Sequence, residues 1–114
     1  MIPEIKSIMS RDLEYGALPE EPDDCEVLIE VEIGPKGETG VDVFYLTAIT
    51  PKAIMRKADT RWGRGYLITP TFSWSDVEKT LRSLLLRCIG DDWTEISDKL
   101  NRVLNREHEN NLPI

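Results

Sequence analysis

The sequence predicts an α+β fold, an antiparallel sheet of about four strands with C-terminal helices packed on one face. Three observations point to it. Strand-like runs cluster in the first half of the chain, two longer amphipathic stripes fill the second half, and the strands do not alternate regularly with long helices. The 114 residues fit the common size of one domain, roughly 50–250 residues. Residues 1–114 are therefore read as a single domain, with 105–114 a loosely ordered tail.

The first strand is expected over Ile2–Ser10, where Ile2 and Ile8 stand among polar residues. A solvated loop should follow from Arg11 to Asp24, because Pro19-Glu20-Glu21-Pro22-Asp23-Asp24 places two prolines and four acids in six positions. The clearest β signal comes next. Cys25, Val27, Ile29, Val31 and Ile33 alternate with Glu26, Leu28, Glu30 and Glu32, the period of a strand with one buried face. Gly34-Pro35-Lys36-Gly37-Glu38-Thr39-Gly40 carries the chemistry of a turn. The strand after it, Val41–Thr50, is rich in β-branched and aromatic residues and apolar on both faces, which predicts a central strand hairpin-paired with its predecessor.

Thr50-Pro51 reads as an N-cap followed by proline at the first helical position, opening a short helix to about Ala58. Thr60–Gly65 is a polar loop holding Trp62, and Tyr66–Thr69 is a further strand ended by Pro70. Ser75, with Glu78 at the third helical position, predicts a capping box and a helix to about Ile89. Its Val77, Leu81, Leu84, Leu85 and Cys88 form one stripe, with Leu86 opposite. Gly90 should end that helix, in the position that tolerates a left-handed backbone. Asp91 or Asp92 should cap the last helix, whose Trp93, Ile96, Leu100, Val103 and Leu104 share a face.

Composition limits the function. Asp and Glu outnumber Lys and Arg by 21 to 14, a net charge of −7, whereas nucleic acid is bound through clustered cations. The balance favours a basic protein surface as partner. No apolar run approaches the roughly 20 residues of a membrane span, and the first residues lack the apolar stretch of a signal peptide. Cys25 and Cys88 are isolated in dissimilar contexts, which predicts free thiols in a reducing compartment. A cytoplasmic location is expected.

The chemistry of catalysis is thinly represented. The single histidine, His108, lies among Arg106, Glu107 and Glu109 near the tail, so no Ser-His-acid set and no Cys/His metal spacing can be drawn. The glycines between the two hairpin strands lack the glycine-lysine-serine/threonine ending of a phosphate loop, and they join strands rather than opening a helix. Chance carboxylate pairs are certain among 21 acids, but acid–base work also needs a pocket that shifts one pKa. No catalytic residue, cofactor or metal ligand is assigned, and the chain is not expected to be an enzyme.

What stands out is the arrangement of charge. Glu26, Glu30 and Glu32 share one strand face and adjoin Glu20, Glu21, Asp23 and Asp24 in sequence. Like charges two apart on a strand face repel. A merely solvated outer face accounts for the pattern; so does an acidic patch aimed at a basic partner, which speeds association and excludes wrong partners.

Several segments in order resemble the immunity protein 8 family of bacterial polymorphic toxin systems. They are Asp12-Leu13 and the Pro19–Asp24 loop, then Ile33-Gly34-Pro35-Lys36-Gly37-Glu38 with Gly40. Phe44 with Thr47 and Thr50-Pro51-Lys52 follow, then Gly65-Tyr66-Leu67-Ile68 with Trp74. Last comes Cys88-Ile89-Gly90-Asp91-Asp92-Trp93, leading to Lys99-Leu100. The resemblance spans about residues 3–104. It departs at Ile49 and Ala53, where the family often carries cysteine and tryptophan, and in the closing segment Asn105-Arg106-Glu107-His108-Glu109, which is often aromatic. The resemblance implies a cytosolic protein that binds and blocks the toxin domain encoded beside it, with no catalytic residues. Glu20, Glu21, Asp23, Asp24, Glu26, Glu30 and Glu32 are the expected toxin-binding residues. A non-toxin adaptor module, or a small acid–base enzyme, is the alternative.

Overall fold

The chain opens with three strands, β1 (Pro3–Met9), β2 (Glu26–Pro35) and β3 (Asp42–Ile49). The computed structural model describes residues 1–57, 60 and 62–107. β2 lies between β1 and β3 and pairs antiparallel with both, Val31 standing opposite Ile8 on one side and Phe44 on the other. A register shift between Ile5 and Ser7 places a bulge at Lys6. The extra residue lets Ile5 and Ile8, three apart in sequence, both pack against the core.

Strict alternation on β2 drives Val27, Ile29, Val31 and Ile33 into one face, at most 3% exposed, joined there by Phe44, Leu46 and Ala48 of β3. Fully burying such a side chain stabilises by about 1.5–3 kcal/mol. At the hairpin β2 runs two residues further than expected, through Gly34 and Pro35. A side chain at Gly34 would collide with the Gly40 carbonyl, and Gly37 adopts φ +83°, so both positions require glycine.

After β3, Thr50 turns the chain into α1 (Pro51–Lys57). The Thr50 hydroxyl accepts from the Ala53 and Cys25 backbone N–H groups and donates to the Cys25 carbonyl, so the cap also ties α1 to the start of β2. β4 (Tyr66–Ile68) then pairs parallel with β3, Thr47 opposite Tyr66 and Ile49 opposite Ile68. A crossover through a helix returns the chain in the same direction, so this one pairing departs from the otherwise antiparallel sheet.

Two helices cover the apolar face, α2 (Trp74–Leu86) and α3 (Trp93–Asn101). Val77, Leu81, Leu84 and Leu85 are buried as their stripe predicts, and Leu86 is 73% exposed. The start of α2 corrects the expected capping box. Ser73, not Ser75, is the N-cap and accepts from the Asp76 N–H, while Glu78 accepts from the Tyr15 hydroxyl. The cause is Trp74, whose indole N–H donates to the Ala17 carbonyl and whose ring packs against Tyr15 and Phe72, fixing it in the first turn. The acidic loop is strapped down beside it, since the Pro22 carbonyl accepts from the Phe72 N–H at 2.7 Å.

The end of α2 also differs. It stops at Leu86 because Arg87 and Cys88 donate three residues back, to Leu84 and Leu85, which tightens the turn and carries Cys88 into the core. Gly90 lies beyond this stop and is not left-handed. Asp92 caps α3 by accepting from Glu95 N–H, and Glu95 reaches back to Asp91 N–H, which holds its carboxyl below the usual range. α3 ends at Asn101, short of Val103, which is turned outward at 48% exposure while Leu104 is buried. The turn is needed because β5 (Asn105–Arg106), within the stretch expected to be a tail, pairs antiparallel with β3 at Tyr45 and Phe44. His108 lies outside the described residues.

A candidate interaction surface on the open face of the sheet

The odd-numbered positions of β3 and the even-numbered positions of β2 point away from α2 and α3. This outer face carries Glu26, Leu28, Glu30 and Glu32 from β2, and Val43, Tyr45, Thr47 and Ile49 from β3. Ser7 and Met9 of β1 continue it on one side, Tyr66 and Ile68 of β4 on the other. Most of it is half-exposed, with Met9 44% and Leu28 41% exposed. Only Ile49 is fully buried there, beside Ile54 and Lys57 of α1.

The seven acids singled out in the sequence do not form one patch. Glu26, Asp23 and Asp24 gather around α1, whose cations answer them one by one. Lys52 pairs with Asp23 at 2.7 Å, Arg56 with Asp24 at 2.6 Å, and Lys57 with Glu26 at 2.7 Å. Asp23 is thereby held below the ordinary carboxylate range, chiefly by the Lys52 hydrogen bond. Glu20 and Glu21 stand exposed on the same loop. Glu30 and Glu32 lie apart, further along β2 by about 13–20 Å at roughly 3.3 Å per residue.

This second pair occupies the middle of the open face. Glu32 accepts a short hydrogen bond from the Ser7 hydroxyl across the β1–β2 ladder. Glu30 stands opposite Tyr45, whose hydroxyl donates to Glu107 at 3.1 Å. Partial burial first, then these two carboxylates, push the Tyr45 hydroxyl up to about 12. The face therefore presents fixed carboxylates and a neutral phenol, held in place by cross-strand bonds rather than waving in solvent.

At the β4 end the surface changes character. Ile49, Ile54, Lys57, Trp62, Gly63, Tyr66 and Ile68 line an open groove of about 180 Å³. Trp62 is 93% exposed at its rim, Ile68 63% and Ile54 41%. Sequence reasoning placed Trp62 in a polar loop and assigned it nothing. The signal that could have found the groove was the pair Tyr66 and Ile68, apolar and two apart on a short strand, beside a tryptophan that no periodic stripe claims.

Neither cysteine is bonded to the other. Cys25 is half-buried and Cys88 buried, and loss of solvation pushes both thiols up, away from the reactive thiolate. Among the described residues no three His, Cys, Asp or Glu side chains converge as a metal site, and no helix is long and apolar enough to cross a membrane.

A family model, Immunity protein 8, matches residues 3–111. The chain belongs to this family. No curated protein and no solved structure matches it. An immunity-type role with a toxin as partner follows from membership. The segments that carry the resemblance acquire physical reasons here. Asp12 accepts from the Leu28 N–H where β2 extends past β1, and Leu13 packs on the core. Trp93 donates to Asp42 at 2.8 Å, fastening α3 to the start of β3.

Proposed function

We propose that this chain is a cytoplasmic immunity protein that binds the toxin domain encoded beside it and neutralises it by direct contact. It acts by occupying toxin surface and performs no catalysis of its own. The observation that carries the reading is the family match over nearly the whole chain. The contact surface is the open face of the sheet, with Glu30 and Glu32 at its centre and Glu26, Asp23, Asp24, Glu20 and Glu21 along its α1 end. A net charge of −7 and the fixed carboxylates on that face favour a basic toxin surface. Exposed charges are screened beyond about 10 Å at 0.1 M salt, so they act mainly on the rate of association.

The test is co-expression with the adjacent toxin domain. The chain should restore growth and co-purify with the toxin as a stoichiometric complex. Continued toxicity, together with no complex between the purified proteins, contradicts the reading.

A further inference from the structure

Electrostatic attraction brings partners together, but tight complexes rest on a few desolvated anchors, most often Trp, Tyr or Arg meeting a pocket. The groove between α1 and β4, on the same face as the acids, offers such a pocket. Its register places it beside the acids: Tyr66 stands next to Thr47, and Ile68 next to Ile49, which in turn stands opposite Glu26.

Its size decides what fits. Small-molecule pockets usually run to about 300–1,000 Å³, whereas an apolar cavity of about 150 Å³ accepts a benzene ring. At about 180 Å³ the groove admits one bulky side chain and little more. Its walls are Ile49, Ile54, Tyr66 and Ile68, and Lys57, the one charged side chain lining it among the described residues, is already paired with Glu26. Trp62, almost wholly in water, stands at its rim.

We infer that this groove receives a single bulky apolar side chain, aromatic or leucine, projecting from a basic surface of the cognate toxin domain, with Trp62 closing over it. The inference rests on the immunity reading and names the anchor of that interface. Charge selects the occupant. A second copy of this chain docked face to face by a twofold axis would bring Glu30, Glu32 and Glu107 of the two copies onto one shared surface. A cationic partner meets those acids favourably while its apolar side chain fills the groove.

The experiment measures binding of the purified toxin domain encoded beside the chain to the wild type, Trp62→Ala, Ile68→Glu and the control Leu86→Glu. Trp62 and Ile68 are exposed, so thermal midpoints should stay near wild type. If Ile68→Glu misfolds, Trp62→Ala carries the test. The expected result is a Kd raised about 30-fold by Trp62→Ala, mostly through faster dissociation, with Leu86→Glu unchanged. Tryptophan emission should shift to the blue on binding, a shift lost in Trp62→Phe. Tight wild-type binding with unaltered variants overturns the groove and leaves the immunity reading standing. Absence of wild-type binding overturns both. Concentration-dependent dimerisation abolished by Ile68→Glu, with toxin affinity unchanged, assigns the groove to a second copy and also overturns the inference.

Discussion

The two faces of this sheet are made by the same two strands and obey opposite rules. On the inner face Val27, Ile29, Val31, Phe44 and Leu46 are at most 3% exposed and pressed against α2 and α3. On the outer face Glu30, Glu32, Tyr45 and Thr47 remain half-exposed, with Glu32 held by the Ser7 hydroxyl across the ladder and Tyr45 by Glu107. Stability is concentrated on one side, which leaves the other free to vary its side chains without loosening the core. That division suits a small inhibitor whose partner is another protein.

The largest expected effect tests the division itself. Leu84→Ala should cost about 2–5 kcal/mol in denaturant unfolding, while Leu86→Ala, two positions along the same helix, should stay within about 0.5 kcal/mol. Equal losses would erase the contrast between covered and open positions.

A smaller loss is expected where the chain passes from one face to the other. Thr50→Val keeps the shape but removes the hydroxyl that caps α1 and satisfies the Cys25 N–H. We expect a cost of about 2 kcal/mol, from the lost cap and an unpaired donor together. An unchanged unfolding midpoint would mean that α1 is held by its ion pairs instead, which at the surface usually contribute little.

The fixed outer face has a pH signature. Tyr45 has a pKa of about 12 against the usual 10.0, so the unfolded chain gives up this proton first. The contribution of its neutral form is therefore complete below pH 10 and is lost as pH rises toward 12. Titration of tyrosinate absorption should show a late component that disappears in Tyr45→Phe. A titration curve with no late component lost in Tyr45→Phe would show that the carboxylates around Tyr45 are not held there in solution.

Much of the inner face was legible in the sequence, because period-two alternation on β2 and the stripes of α2 and α3 each report local geometry directly. Helix ends were less so. α2 starts two residues early because Trp74 finds the Ala17 carbonyl, a partner 57 residues away that no local rule contains. The parallel pairing of β4 was hidden for a similar reason, since a three-residue strand carries no sign of its direction. On the outer face the sequence placed Glu26, Glu30 and Glu32 on one side of a strand. It could not reveal that Lys52, Arg56 and Lys57 answer Asp23, Asp24 and Glu26, because those partners lie 29–32 positions further on. The groove escaped notice since its walls come from β3, α1, β4 and the loop between them.

The central claim, that the open acidic face meets the toxin, is tested most directly by the double variant Glu30→Lys/Glu32→Lys. Its circular dichroism and thermal midpoint should first match the wild type. Association with the cognate toxin domain is then followed across a salt series. The account predicts a rate lowered about tenfold at low salt, with a flatter dependence on salt concentration. An unchanged rate and an unchanged salt slope in the folded double variant would contradict it and move the interface off this face.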